Sequence, residues 1–411
     1  MKKDKTELVL VRITGEDRPG LTASFTEILA KYDVTILDIG QADIHDTLSL
    51  GILIQTDEKY SGNVMKELLF KATELNVNIG FNPIAPDEYN KWVGMQGKNR
   101  YILTVVGRKI TSPQLAAVTR VVANQDMNID AIRRMTGRIP LDNSAARAHA
   151  CVEFSLRGTP VDREKMNAQL MRISKELEMD FSLQKDNMYR RNRRLICFDM
   201  DSTLIETEVI DELAMRAGVG DKVKAITESA MRGEIDFKES FTRRVALLKG
   251  LDESVMIDIA EHLPISEGVD RVMYVLKKYG YKIAILSGGF TYFANYLKSK
   301  YSIDYVYANE LEIIDGKLTG RYLGDVVDGK RKAELLRLIA QVENVDIQQT
   351  IAVGDGANDL PMLGIAGLGI AYHAKPKVIA NAKQSINTIG IDGVLYFLGF
   401  KDSYLEDKKM Q

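Results

Sequence analysis

The sequence predicts an α/β chain in which an open parallel sheet with a helical insert follows two copies of a βαββαβ unit. Two observations carry this. Short, continuously apolar runs at 195–198 (Leu-Ile-Cys-Phe), 283–286 and 350–353 alternate with long helical patterns, as strands buried on both faces of a parallel sheet do. Upstream of Arg190-Arg-Asn-Arg-Arg194 the texture differs, and one strand–helix order occurs twice.

In the first copy, Leu8–Thr14 reads as a strand ending at Gly15, followed by a helix over 21–32. Next come an acidic turn at Asp33, a strand from Val34, a strand over 48–55, and a helix with Val64, Met65, Leu68, Leu69 and Ala72 on one face. The second copy repeats this with Ile102–Val106 before Gly107, a helix over 115–125, the turn at Asp126, a strand over 150–156 and a helix over about 162–177. Each unit is ferredoxin-like, an antiparallel sheet covered on one side by two helices. Asn82-Pro-Ile-Ala-Pro-Asp is read as the start of a linker between them, and the basic run 190–194 as a solvated hinge. The domains expected are 1–86, 96–185 and 193–402. The last is a Rossmann-like sheet with a mostly helical cap at about 206–265, placed after its first strand where it can act as a lid. Asp315-Gly316 signals a hairpin.

Composition excludes several functions. Of 411 residues, 45% are hydrophobic and 27% charged, the balance of a chain with buried cores. Lys plus Arg (55) nearly cancels Asp plus Glu (57), so no global field favours nucleic acid or a membrane surface. Cys151 and Cys197 stand far apart in apolar settings and read as buried thiols of a reducing compartment. The four histidines lack ligand spacing, the charged start Met1-Lys-Lys-Asp-Lys is unlike a signal peptide, and no run is long enough to span a bilayer. A cytoplasmic protein is expected.

Four features follow predicted strand ends, where an open parallel sheet binds ligands. They are Asp199-Met-Asp201-Ser-Thr203, Ser287-Gly288-Gly289, Lys332 near a helix start, and Gly354-Asp355-Gly-Ala-Asn358-Asp359. Together they suit phosphoryl transfer. Asp199, Asp201, Asp355 and Asp359 would form an oxygen-only pocket fitting Mg²⁺. Without a cation these carboxylates would repel one another. Lys332 adds fixed positive charge, while the Ser287 hydroxyl and Gly288 amide can hold phosphate oxygens. Two carboxylates one residue apart can divide the work, one attacking and the other serving as acid and then base. Each piece alone is commonplace: Asp-x-Asp on a solvated loop, Ser-Gly-Gly in a turn, a lone Lys in solvent. Their joint order is not.

These motifs resemble the haloacid dehalogenase-like phosphatase superfamily over residues 193–402 and, more narrowly, its phosphoserine phosphatases. The resemblance implies that Asp199 forms a phosphoaspartyl intermediate and that Asp201 protonates the leaving serine oxygen. It implies Mg²⁺ held by Asp199, the Asp201 main-chain carbonyl and Asp355, with Asp359 in support. It also assigns Glu208, nine residues after Asp199, to the substrate ammonium and Arg244 to its carboxylate. Met231 and Phe237 match apolar cap positions, and Asn358 contacts substrate or phosphate. Taken alone, Glu208 could be a first-turn helix residue and Arg244 a surface ion pair. The implied reaction is hydrolysis of O-phospho-L-serine, the last step of serine biosynthesis. The rivals are a phosphatase for another small metabolite and an amino-acid-sensing protein that keeps the core as scaffold.

The doubled unit resembles ACT domains, small regulatory modules that often bind amino acids and pair between subunits. Gly15-Glu-Asp17-Arg-Pro-Gly20 looks like their ligand-binding turn, so Asp17 and Gly20 are candidate contacts for serine. The second copy has Gly107-Arg-Lys-Ile-Thr-Ser-Pro113 there and lacks Pro-Gly. A homodimer is expected by the same resemblance, with packing and dimerisation alone as the competing role. Nothing suggests an RNA-binding platform, since Trp92 and the tyrosines show no stacking pattern.

Overall fold

The computed structural model describes residues 6–95, 97, 99–138 and 149–405. The chain divides into two compact units after Lys98.

The N-terminal unit holds β1 (Thr6–Glu16), β2 (Thr35–Ile44), β3 (Thr47–Asp57) and β4 (Asn78–Ile84) in the order β2-β3-β1-β4, all antiparallel. Helices Leu21–Lys31 and Glu58–Glu74 cover one face and bury Phe25, Ile28, Leu29, Val64 and Leu68 against Val9, Val11 and Ile13. Asp57 caps the second helix by accepting the Lys59 N–H at 3.0 Å. The linker expected from Asn82 instead begins as strand: Asn82, Pro83 and Ile84 still pair with β1, and helix Pro86–Val93 follows. Pro83 fits because β4 is an edge strand, where a missing N–H breaks no ladder bond.

The second unit opens with the repeat of this motif: β5 (Arg100–Gly107), β6 (Asn128–Arg134), β7 (Ala150–Arg157) and β8 (Asp180–Lys185), with helices Ser112–Asn124 and Arg163–Glu176. The duplication extends to backbone detail. Asp33 and Asp126, which end the first helix of each copy, adopt φ of 52° and 53°; Asn76 and Glu178 do the same after the second, at 52° and 50°.

The C-terminal half follows as β9 (Leu195–Phe198), β10 (Lys282–Phe290), β11 (Tyr305–Ile314), β12 (Lys317–Leu323), β13 (Thr350–Gly354), β14 (Leu368–Tyr372) and β15 (Gln384–Ile386). The parallel core runs β11-β10-β9-β13-β14-β15, and β12 returns antiparallel at the Asp315-Gly316 hairpin, where both residues have positive φ. Four cap helices, Val209–Arg216, Gly220–Met231, Phe237–Ala246 and Ser254–Glu261, fill the predicted insert.

Two sequence expectations change here. β8 pairs antiparallel with β15 through Phe181 and Ser385, so the second βαββαβ sheet and the core sheet form one sheet of eleven strands. The basic run 190–194 is no solvated hinge. Arg190 and Arg193 are 9% and 4% exposed. Arg190 donates to Glu153 at 2.8 Å; Arg193 reaches the carbonyls of Gln348 and Thr350 and the side chain of Gln184. Cys151 and Cys197 are buried free thiols. Among the described residues no helix is long and apolar enough to cross a membrane.

Candidate active site

Strand order fixes where the site must be. The chain leaves β9 for β10 on one side and later returns to β13 on the other, so the crevice opens at the carboxyl end of β9. Asp199 is the first residue past that end. Its N–H continues the sheet by donating to the Val353 carbonyl at 2.9 Å, and its Oδ1 accepts the Met200 N–H at 2.7 Å. Its Oδ2 lies 2.8 Å from Lys332 Nζ.

Lys332 sits in the first turn of helix Gly329–Val342, which Asp328 caps by accepting the Arg331 N–H at 2.8 Å. The side chain is fully buried, and its ammonium also meets Asp359 Oδ1 at 2.7 Å. Burial alone would lower its pKa, but the two carboxylates outweigh that and raise it, so the charge is permanent. Asp359 Oδ2 accepts the Gly356 N–H at 2.9 Å, so both of its oxygens are engaged by protein donors. Asp199, Asp355 and Asp359 bring ligand oxygens within 4.8 Å of one another.

Asp201 is buried, with Oδ1 accepting the Val209 N–H at 3.2 Å at the start of the cap. Burial, then the neighbouring Glu208 and Asp199 charges, push its carboxyl well above the usual range. Burial and Asp199 raise Asp355 to about 7 and Asp359 to about 8. Among the described residues, Asp199, Asp201, Glu208, Asp355 and Asp359 thus face two cations, Lys332 and Arg244, and the excess negative charge is what a divalent cation would neutralise.

The register of β10 against β11 shifts between Leu286 and Phe290, which bulges Ser287-Gly288-Gly289 out of the ladder. Ser287 is fully buried and its Oγ accepts the Gly289 N–H at 2.9 Å. Phe237 of the cap sits over Gly288, 3.1 Å from where a Cβ would stand. The side chain of Met231, the other apolar cap position, lies outside the described residues.

The cap supplies the remaining predicted residues. Glu208 stands at the N-cap of helix Val209–Arg216, yet its side chain does not cap it. It accepts from Ser202 Oγ at 2.8 Å, a contact allowed by the left-handed Ser202 backbone (φ 57°). Burial raises its pKa. Arg244 is half-buried; its Nε reaches the Ser240 carbonyl at 3.4 Å, and it forms no ion pair among the described residues. Burial lowers its pKa, opposed by Glu208, Asp211 and Asp201. A surface ion pair therefore does not describe Arg244. Asn358 is half-buried in the β13 loop beside Gly356. Sequence reading assigned no role to Ser202, whose partner Glu208 is local, or to Asn309 on β11, whose side chain bonds Gly288 and Val327 on two other segments.

Asp17 and Gly20 are exposed in the N-terminal unit, where Gly20 (φ 87°) immediately precedes helix Leu21–Lys31 and the Asp17 N–H donates to the Asp46 carbonyl at 2.8 Å. In the equivalent turn of the second copy, Arg108 donates to both carboxylate oxygens of Glu267 of the core.

A haloacid dehalogenase-like hydrolase family model matches residues 193–367, and an ACT domain model matches residues 7–82. The phosphoserine phosphatase of Streptomyces coelicolor is 37% identical over 97% of this chain and 93% of its own length. That of Mycobacterium tuberculosis is likewise 37% identical, over 97% and 94%. The unliganded crystal structure of a probable phosphoserine phosphatase from Vibrio cholerae superposes with a TM-score of 0.58 at 38% identity, covering 74% of this chain and 87% of that one. With such similarity along nearly the whole of both chains, this chain belongs to the phosphoserine phosphatase family of haloacid dehalogenase-like hydrolases, with an ACT domain in its N-terminal unit.

Proposed function

We propose that the chain hydrolyses O-phospho-L-serine to L-serine and phosphate through a phosphoaspartyl intermediate on Asp199, as the last, cytoplasmic step of serine biosynthesis. The observation that carries the reading is Asp199 at the switch point of the sheet, oriented by Lys332 at 2.8 Å with the Ser287-Gly288 bulge on the neighbouring strand. A carboxylate held by a permanent cation can approach a phosphate dianion. Asp199 Oδ attacks phosphorus; the serine oxygen departs and takes the proton that Asp201 carries. Asp201, now ionised, accepts a proton from water, whose oxygen attacks phosphorus, releases phosphate and restores the Asp199 carboxylate. The raised pKa of Asp201 suits the first of these steps.

The donor set fits Mg²⁺: a cluster of carboxylate oxygens whose pKa values are raised by burial and by the Asp199 charge. Asp199, the Asp201 carbonyl and Asp355 would hold it, and Asp359, engaged by Lys332 and Gly356, would support them. When bound, the ion supplies neutralising charge to the phosphate. Ser287, Gly288, Lys332 and Asn358 take the phosphate.

Selectivity rests on Glu208 and Arg244. Glu208 is exposed at the root of the cap and Arg244 is half-buried, and among the described residues no ion pair joins them, so one can meet an ammonium and the other a carboxylate. The test is phosphate release from phosphoserine, phosphothreonine, a phosphosugar and an aryl phosphate, with Mg²⁺ and with chelator. Asp199→Asn should abolish turnover with the fold intact. Arg244→Ala should cut phosphoserine turnover far more than aryl phosphate turnover; equal losses would remove Arg244 from substrate recognition. The two βαββαβ repeats act as regulatory and/or dimerising modules, with serine received at Asp17 and Gly20 of the first, which serine titration and sedimentation of the full chain would check.

A further inference from the structure

Asn309 lies on β11, makes no part of any motif, and is 1% exposed. Its Nδ2 donates to the Gly288 carbonyl at 2.8 Å, and its Oδ1 accepts the Val327 N–H at 2.8 Å. These two partners belong to the two phosphate-binding elements. Gly288 is the centre of the bulge that leaves the β10–β11 ladder between Leu286 and Phe290, so its carbonyl lacks the register partner that a regular strand would supply. Val327 precedes Asp328, the cap of the helix that presents Lys332, and the Lys332 N–H donates to the Asp328 carbonyl at 2.9 Å.

We infer that Asn309 is a positioning residue for phosphate: one buried amide fixes the Ser287-Gly288 bulge relative to the Val327-Asp328 entry to the Lys332 helix, and thereby sets the spacing of the anion site. The inference rests on the reading of this crevice as a phosphate-ester site and adds a residue to it. The chemistry is specific to a carboxamide. Gly288 offers an acceptor and Val327 a donor, so the bridging side chain must donate at one end and accept at the other. The Gly288 carbonyl shares its peptide plane with the Gly289 N–H, which donates to Ser287 Oγ at 2.9 Å, so rotation of that plane displaces the Ser287 hydroxyl assigned to the anion, and an error of about 1 Å in such a site is costly.

The test compares Asn309→Leu, which removes both bonds at similar volume, with Asn309→Asp, which keeps the acceptor and regains the donor only when protonated. The first readout is equilibrium affinity of the full chain for orthophosphate in the presence of Mg²⁺, which does not depend on which ester is turned over. Asn309→Leu should weaken orthophosphate about ten- to hundred-fold, as loss of a buried bridging bond implies. KM for phosphoserine should rise with it. Asn309→Asp should approach the parent affinity as pH falls from 8 to 5.5, and the ratio to parent should not change for Asn309→Leu. If Asn309→Leu does not fold, the pH trend of Asn309→Asp decides alone. Unchanged orthophosphate affinity, or losses in both variants with the same pH profile, would overturn the assignment. Phosphate bound normally by a chain inactive on phosphoserine would instead strike at the substrate reading and leave Asn309 in place.

Discussion

Arg108 donates from Nη1 and Nη2 to the two carboxylate oxygens of Glu267, at 2.8 and 2.6 Å, and from Nε to the Thr388 carbonyl at 3.1 Å. Arg108 directly follows β5 of the second βαββαβ unit. Glu267 follows the return of the cap, where Ile265 bridges to Ile205 and the Glu206 N–H donates to the Pro264 carbonyl. One guanidinium therefore ties the second repeat to the root of the cap, while Asp180 of β8 accepts from Asn387 and Thr388 on the far side. Both ion-pair side chains are about one-third exposed, so solvent screens the attraction and the fork geometry contributes most of the specificity.

Arg108→Ala should cost about 1 kcal/mol, and Arg108→Lys should recover less than half, because an ammonium cannot meet both oxygens and the carbonyl together. A double-mutant cycle with Glu267→Gln, read by urea unfolding, should show coupling of about 0.5–1 kcal/mol. Circular dichroism is the suitable probe, since Trp92 is the chain's one tryptophan and belongs to the N-terminal unit. Additive effects of the two substitutions would refute the coupling.

Metal removal should reshape the pH dependence of stability. Burial and the Asp199 charge raise Asp355 to about 7 and Asp359 to about 8 from 3.8. Between those limits the folded, metal-free chain binds protons that the unfolded chain releases, so its stability falls as pH rises. In chelator the thermal midpoint should therefore drop as pH rises from about 5, most steeply below about 7, and level off above about 8, where both groups are ionised in the folded chain as well. Saturating Mg²⁺ releases the same protons on binding and should flatten or reverse the slope. A midpoint that climbs with pH in chelator would contradict this.

The architecture was legible where the chain's periodicity is set by burial. Continuously apolar strands announced the parallel core, and the acidic turns at Asp33 and Asp126 announced the repeat. Motif residues that follow strands could be placed because a parallel sheet gathers its strand ends. The basic run 190–194 misled because sequence does not show partners: Arg190 and Arg193 are buried only through Glu153, Gln184 and carbonyls distant in the chain. Asn309 was invisible for the same reason.

Two glycines separate packing from backbone freedom. A Cβ on Gly289 would overlap Asp201 Oδ2 and stand 2.9 Å from Met200 Cε. Gly289→Ala should displace Asp201 and lower kcat by about a hundred-fold, the scale of losing a positioned general acid. Gly62 lies inside helix Glu58–Glu74 with nothing within 4 Å of a Cβ, so Gly62→Ala should stabilise the N-terminal unit by about 0.5–1 kcal/mol without touching turnover. Steady-state kinetics and Trp92 fluorescence would check the pair, and a catalytically intact Gly289→Ala would show that Asp201 tolerates the intrusion.

Lys332 poses the sharpest conflict between stability and chemistry. Its buried ammonium lies 2.8 Å from Asp199 Oδ2 and 2.7 Å from Asp359 Oδ1. Removing one partner of a buried ion cluster leaves uncompensated charge, so Lys332→Met should destabilise the second unit by about 3–5 kcal/mol. Adding Asp359→Asn removes one of the stranded carboxylates, and the double variant should regain a large part of that loss. Activity should not return, because Asp199 would still lack the cation that lets it approach a phosphate dianion. Unfolding midpoints of the single and double variants, set beside their phosphate release, separate the two roles. A double variant that regains turnover along with stability would mean that Lys332 serves the fold and not the reaction.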